Sequence, residues 1–536
     1  MKRLVLLLMV VAATLSFLPG VAQRPSKQQQ QEMEEQLKKF NQFYFYLNAM
    51  YVDTLDNENL VERAIVDMLS DLDPHSAYIT AEDMKAEEES MQGSFSGIGI
   101  EFDILNDTIT VVNTIAGGPS AVLGVQPNDK IIEVDGVNAI GVSKTDVRKM
   151  LRGEKGSIVT VKIVRRGMLS PLNFKIVRDE IPITTVDAAY RVTPKTGYIK
   201  VNRFAHTTME EFEKGMEQIG EVENLILDLR GNSGGLLNQA IEMSEYFLSK
   251  DNVIVSTEGR MIPTTEYYSE RDGKFKGKVA VLTDAASASG SEIVAGALQD
   301  WDRGVIIGRT TFGKGLVQRQ IDLFDGSAVR ITIARYHTPS GRVIQRPFEN
   351  GDASGYYADH LKRSYDQKYR DSVNMNAPQY KTLRLGRTVY GSGGISPDVE
   401  IAIDTTANYA YWNRLVTAGL VNEYVNKVLE EKRDRFARQY PDFDTFSKKF
   451  SVDEKMMDGL QKLGEKNNIK IEPTDDMDFT KKCMTIHLKA LFAQKLWDTT
   501  EYYKIINQMD DEEFKAALEL LETPGQYESV LSKTAQ

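Results

Sequence analysis

The sequence predicts an α/β multidomain protein with a helical segment at each end, and three observations carry that reading. Short apolar runs of the kind that make buried strands, at 198–201, 224–229 and 279–283, recur through the middle of the chain, with helical stretches such as 209–219 between them. Helical spacing of apolar residues dominates from 33 to 91 and again beyond Asp404. At 536 residues, 41% hydrophobic and 26% charged, the chain has material for three or four soluble domains. A net charge of −12 argues against a nucleic-acid partner.

Taken in order, Met1-Lys2-Arg3 precedes an apolar run from 4 to 18, and Pro19-Gly20-Val21-Ala22-Gln23 supplies small residues for cleavage after Ala22. Residues 1–22 are therefore expected to be a secretory signal peptide. A run of about fifteen such residues is short of the ~20 that span a bilayer, and no other segment is long and apolar enough. The expected location is periplasmic or extracellular, with no integral membrane span in the mature protein. Cys483 is alone and the five histidines are scattered without HExxH spacing, so neither a disulfide framework nor a metal site is expected, and no cofactor. Residues 23–92 are expected to be a linker, unstructured and glutamine-rich at 24–31, followed by helices that carry Phe40, Phe43, Tyr44, Leu47, Met50 and Tyr51, then Leu60, Ile65, Met68, Leu69 and Leu72.

Residues 93–180 form the next unit. Gly97-Ile98-Gly99-Ile100-Glu101-Phe102 places glycines where successive backbone N–H groups can converge on an anion. Ala116-Gly117-Gly118-Pro119-Ser120-Ala121 and Pro127-Asn128-Asp129-Lys130-Ile131-Ile132-Glu133-Val134-Asp135-Gly136 follow, then a helix over 142–151. This pattern resembles a PDZ domain. The resemblance implies that Gly97, Ile98, Gly99 and Ile100 bind the carboxylate of a protein or peptide C-terminal tail, added as a strand. A dinucleotide site at the same glycines lacks its third glycine, because Phe102 stands there.

Residues 181–404 read as an α/β core. After the run 224–229 comes Arg230-Gly231-Asn232-Ser233-Gly234-Gly235; after 279–283 comes a small-residue elbow carrying Ser287, Ser289 and Ser291, and then a helix. A hydroxyl at the first turn of a helix meets unpaired N–H groups and the positive end of the dipole, which favour developing negative charge. Phe312-Gly313-Lys314-Gly315 precedes an alternating, strand-like run at 316–321. Singly, Ser289 reads as an N-cap and Lys314 as a surface charge. Together, Ser-Ala-Ser-Gly-Ser-Glu and Thr-Phe-Gly-Lys-Gly-x-Val-Gln resemble the signature of the carboxy-terminal processing peptidases, α/β serine proteases with a Ser-Lys dyad.

That resemblance implies Ser289 as nucleophile, Lys314 twenty-five positions on as its base, and Gln318 as the group that orients the lysine. A serine hydroxyl needs a neighbour to take its proton, and lysine can do so only when burial lowers its pKa far enough to leave it neutral. The same family implies backbone oxyanion donors at Gly290 and at Gly234 or Gly235, and makes the Leu72-Asp73-Pro74-His75-Ser76 segment a loop in which His75 is not catalytic. Two further family segments, 336–345 and 394–399, stand apart here because the tyrosine-rich stretch 346–393, expected to be a mixed-charge surface insertion, separates them. The resemblance ends near 403. Residues 405–536 are expected to be helical, around 409–433, 453–465, 479–496 and 511–521.

The function this implies is an exported serine endopeptidase that captures C-terminal tails; self-association is compatible with it. A PDZ-bearing scaffold with an inactive core is the alternative, and the presence of Ser289, Lys314 and Gln318 speaks against it. A nucleotide site at 308–314 has Walker A spacing but fails at Gly315, where Ser or Thr would hold Mg²⁺.

Overall fold

The computed structural model describes residues 26–115, 117–165, 168–402, 408–509 and 511–532. The expected signal peptide lies outside them. Among the described residues no helix is long and apolar enough to cross a membrane.

The N-terminal region is helical as expected, but its glutamine-rich start is not a linker. Ser26 caps the helix Lys27–Met50 reciprocally with Gln29, so residues 27–31 form its first turns. None of that helix is buried; Phe43, Phe45 and Met50 are each more than half exposed. After the helix Asn57–Ser70, a strand Ala77–Ile79 pairs antiparallel with Ala328–His337. This joins the loop containing His75 to the core.

The PDZ unit is a sheet of Ile100–Leu105, Thr108–Thr114, Lys130–Val134, Ile158–Val164 and Leu172–Val177 in that order, with the helix Lys144–Leu151 over one edge. Its apolar centre is Ile109, Val111, Ile131, Val147, Val161 and Ile176. The chain enters through Ser94–Gly97 and leaves through Asp179–Pro182, which pair antiparallel, so one two-stranded ribbon tethers the unit to the core.

The core sheet runs Val186–Arg191, Thr196–Val201, Asn224–Asp228, Lys278–Thr283, Val305–Gly308 and Val399–Glu400; the first pair is antiparallel and the rest parallel. Its central strands are apolar on both faces because both faces are covered. Phe212, Met216, Met243, Ile293 and Val294 come from helices on one side. Phe514, Ala517, Leu520, Leu521 and Tyr527, from the last two helices of the chain, close the other over Tyr198, Ile226, Leu282 and Ile307. The C-terminal region thus covers one face of the core sheet. It also grips the PDZ unit: Asn426 donates to Asp103 (3.0 Å), and Glu430 and Lys495 pair with Lys130 and Glu101. The helix expected at 409–433 is two, Ala410–Thr417 and Leu420–Gln439, broken at Gly419 where φ is 72°.

The stretch 346–393 corrects the expectation of a surface insertion. It folds into helices Ala353–Tyr365 and Gln367–Met375 and a hairpin, but Arg346, Tyr356, Arg370 and Arg387 are buried. Arg387 pairs with Asp302 (2.7 Å) and with Asp398, which fastens the hairpin to the core.

Candidate active site

Three loops meet at the C-terminal ends of the parallel strands, where open α/β sheets place their sites. The first follows Thr283 and enters the helix Gly290–Asp300. Of its three serines, Ser287 and Ser291 are fully buried with hydroxyls donated to Leu229 O (2.9 Å) and Asn232 O (2.8 Å). Ser289 is partly exposed and has φ 53°, ψ −110°, backbone that a residue with a Cβ rarely adopts. Such a turn lifts one side chain clear of the loop.

Glu292, three residues on, explains how the strained turn is held. Its buried carboxylate accepts from Ser289 N (2.8 Å) and Lys314 N (2.9 Å) on Oε2, and from Gly313 N (2.6 Å) and Thr311 Oγ1 (2.5 Å) on Oε1. Burial, the larger influence, holds this carboxyl above its usual range against the pull of the four donors. From the other side the Tyr336 hydroxyl donates to Lys314 O and reaches Ser289 O at 3.2 Å. One acid and one phenol thus tie the serine and lysine backbones to each other. Sequence reading passed over both, although Ser-x-x-Glu ahead of an apolar helix is a capping-box spacing.

Lys314 Nζ donates to Gln318 Oε1 (2.9 Å), and Gln318 Nε2 donates to His75 O. The two do not meet by alternation along one strand, for Lys314 lies ahead of the strand Leu316–Asp322, whose register shifts between Val317 and Gln318. That irregularity accompanies their meeting. Burial holds the Lys314 amine below the usual lysine range, with help from Arg330 and against Glu292 and Asp73. Among the described residues no hydrogen bond joins Ser289 Oγ to Lys314 Nζ.

Gly290 N–H, buried at the start of the helix, has no acceptor among the described residues. Gly234 packs against the elbow: a Cβ built on it would stand 2.7 Å from Ser289 Cβ. Its N–H, however, donates to Asn232 Oδ1 (2.8 Å), whereas that of the more exposed Gly235 has no acceptor among the described residues. Gly234 must leave Asn232 before it can donate to a substrate.

In the PDZ unit, Gly97, Ile98, Gly99 and Ile100 border a cavity of about 140 Å³ together with Phe95, Phe102, Arg148, Leu151 and Arg152. The buried N–H groups of Ile98 and Gly99 have no acceptor among the described residues, as an anion nest requires. Arg152 stacks on Phe95 (4.3 Å) and pairs with Glu89 (2.7 Å) at the same end of the groove.

A PDZ unit on a two-stranded tether, beside an α/β core with a serine on a strained elbow, defines a serine peptidase that carries its own peptide-binding module. Comparison with known proteins agrees: residues 195–350 match peptidase family S41, 110–165 the PDZ domain, 17–83 the N-terminal domain of the activating protease CtpB, and 411–498 a family of unknown function. The chain is 39% identical to a carboxy-terminal-processing protease of Bartonella bacilliformis over 61% of its own length and 76% of that protein. It is 35% identical to the carboxy-terminal processing protease CtpB of Bacillus subtilis (61% and 68%) and 31% identical to CtpA of that organism (72% and 84%). The chain belongs to the carboxy-terminal processing proteases of family S41.

Proposed function

We propose that the protein is an exported endopeptidase in which Ser289 attacks the scissile carbonyl and Lys314 takes its proton. The nucleophile's Oγ–C bond forms as its proton passes to the neutral amine. The tetrahedral oxyanion is met by Gly290 N–H and a second N–H from Gly234 or Gly235. Lys314 then returns the proton to the leaving amine, and water releases the acyl group by the reverse sequence. Gln318 orients the amine without charging it. The observation that carries this reading is the shared grip of Glu292 and Tyr336 on Ser289 and Lys314, for it gives the two backbones one fixed relation. The run 4–18 and the small residues before Gln23 support export.

Substrate tails enter the PDZ groove, with the terminal carboxylate at the Ile98 and Gly99 N–H groups. The unmade Ser289–Lys314 bond and the occupied Gly234 N–H fit a resting site that an occupied PDZ unit completes. The test is mass spectrometry of a secreted-protein extract after incubation with wild type, Ser289→Ala and Lys314→Ala. New C-termini are expected with wild type only; cleavage by either variant, or loss of cleavage on Ser287→Ala with Ser289→Ala active, refutes the assignment.

A further inference from the structure

The segment 346–393 reaches the catalytic lysine through a closed ring of hydrogen bonds. Lys314 Nζ donates to Gln318 Oε1 (2.9 Å), and Gln318 Nε2 to His75 O. His75 Nε2 meets Tyr356 Oη (3.2 Å), which also accepts from Gln345 Nε2 (3.2 Å). Gln345 Oε1 accepts from Gly315 N (2.8 Å), next to Lys314. Tyr356 is the one member contributed by the helix Ala353–Tyr365, and it is 3% exposed.

We propose that Tyr356 is a positioning residue for Lys314, acting through His75 on the Gln318 side and through Gln345 on the Gly315 side. One arrangement satisfies every partner: the phenol accepts from Gln345 and gives its single hydrogen to an unprotonated Nε2 of a neutral His75, whereas a protonated Nε2 would leave that hydrogen with no acceptor among the described residues. The surroundings suit a neutral ring: burial, Lys314 and Arg346 outweigh Asp73 and bring His75 down to about 4.

The phenol is itself fixed on several sides. Its ring lies beneath the Arg346 guanidinium (4.0 Å) and edge-on to His75 (5.3 Å) and Phe312 (6.0 Å). Arg346 in turn donates from Nε to Phe312 O (2.6 Å), from its backbone N to Gly313 O (3.0 Å), and from Nη1 to Tyr356 O (3.0 Å). The loop that carries Lys314 is therefore pinned by the inserted helix, and a flexible lysine side chain is held by a rigid frame. A base displaced by a fraction of an ångström loses much of its rate while substrate binding, made elsewhere, is unaffected.

This proposal rests on the reading of Lys314 as the base. The experiment is steady-state kinetics of Tyr356→Phe in the full chain, which removes the hydroxyl and keeps the stacked ring, beside Tyr365→Phe on the same helix as a control and Lys314→Ala. We expect kcat to fall about tenfold in Tyr356→Phe with KM within about twofold, the loss that follows removal of a doubly bonded buried hydroxyl. The acid limb of kcat/KM should also move to higher pH, because an amine that relaxes toward solvent and away from Arg330 loses the two influences that hold it down, which outweigh the weakened attraction to Glu292 and Asp73, while His75 stays neutral. Tyr365→Phe should match wild type. Wild-type kcat and an unmoved acid limb in Tyr356→Phe, with Lys314→Ala inactive, overturn the positioning role alone, and a lower Tm without a kinetic change does the same. Activity in Lys314→Ala overturns both this role and the dyad beneath it.

Discussion

Glu292→Gln tests whether a buried carboxylate holds the catalytic geometry. All four of its partners are donors, three of them backbone N–H groups that cannot turn away. An amide offers one acceptor oxygen and one NH₂, so at least one backbone N–H must face another donor in either orientation. The cheaper orientation turns the NH₂ toward Gly313 N and Thr311 Oγ1, but that hydroxyl already accepts from Ile395 N (2.7 Å). A buried unsatisfied donor costs about 1–3 kcal/mol, and losing the charge weakens the remaining bonds by roughly 1 kcal/mol each, a total of about 3–6 kcal/mol. That approaches a whole domain's stability of ~5–15 kcal/mol, so the site must distort or the protein must loosen. We expect Tm to drop by about 6–20 °C and kcat to fall at least tenfold, measured by scanning calorimetry and by peptide cleavage. Glu292→Asp, which keeps the charge one methylene short, should fall between. Unchanged kcat and Tm in Glu292→Gln would refute the reasoning outright.

Because only the neutral amine of Lys314 can accept a proton and burial lowers its pKa from 10.5, kcat/KM should climb with pH and flatten before pH 10.5; a rate that still rises beyond 10.5 contradicts a buried base. The same depressed pKa contributes stability that is present above 10.5 and lost as pH falls through the folded value. Lys314→Met should therefore melt higher than wild type, with the gap widening on the acid side. Gly234→Ala forces a Cβ onto a residue at φ 100° and to within 2.8 Å of Ala288 O, which should cost ~2–5 kcal/mol and leave PDZ peptide affinity intact; a fully active variant would show that the loop yields. Amidating a substrate's C-terminus removes the charge that Ile98 and Gly99 N–H groups would meet, so paired free-acid and amidated peptides should differ in KM and in kcat if the PDZ unit both captures and activates. Identical constants would rule out tail recognition.

Where the chemistry depends on local backbone, the sequence was readable. Glycines at 97 and 99 and serines before an apolar helix have short-range meanings, and the elbow and the PDZ sheet stand where they indicate. What could not be read was contact between distant segments. Tyr356 lies 281 positions from His75, and no local pattern marks its hydroxyl as a hydrogen-bond partner. Its stretch looked like a surface insertion because its arginines are interspersed with acids, yet Arg387 and Arg346 are buried against partners whose spacing along the chain carries no period. The motif leaves Gly234 and Gly235 both open as the second oxyanion donor, and only the side chain of Asn232 shows that the N–H of Gly234 is already engaged.

The chain's last two helices show how far the catalytic core extends beyond the stretch that matches family S41. Phe514, Leu520, Leu521 and Tyr527 are nearly fully buried against strands whose residues Tyr198, Ile226, Leu282 and Ile307 are wholly so. At about 1.5–3 kcal/mol for each large side chain, their docking contributes roughly 6–12 kcal/mol, comparable with the stability of a domain. Polar contacts at the same place reach the catalytic loops. Asp511 grips Arg230 through two bonds (2.7 and 2.8 Å) just ahead of Gly231–Gly235, and Glu513 takes Arg309 just ahead of Thr310–Gly315. A chain stopped after residue 509 would thus bare one face of its sheet and free both loops. We expect it to aggregate or to melt without cooperativity, monitored by calorimetry and by near-ultraviolet circular dichroism. A soluble, cooperatively folding protein that still cleaves would show that residues 26–509 suffice, and that the buried seam is a docked accessory and not part of the core.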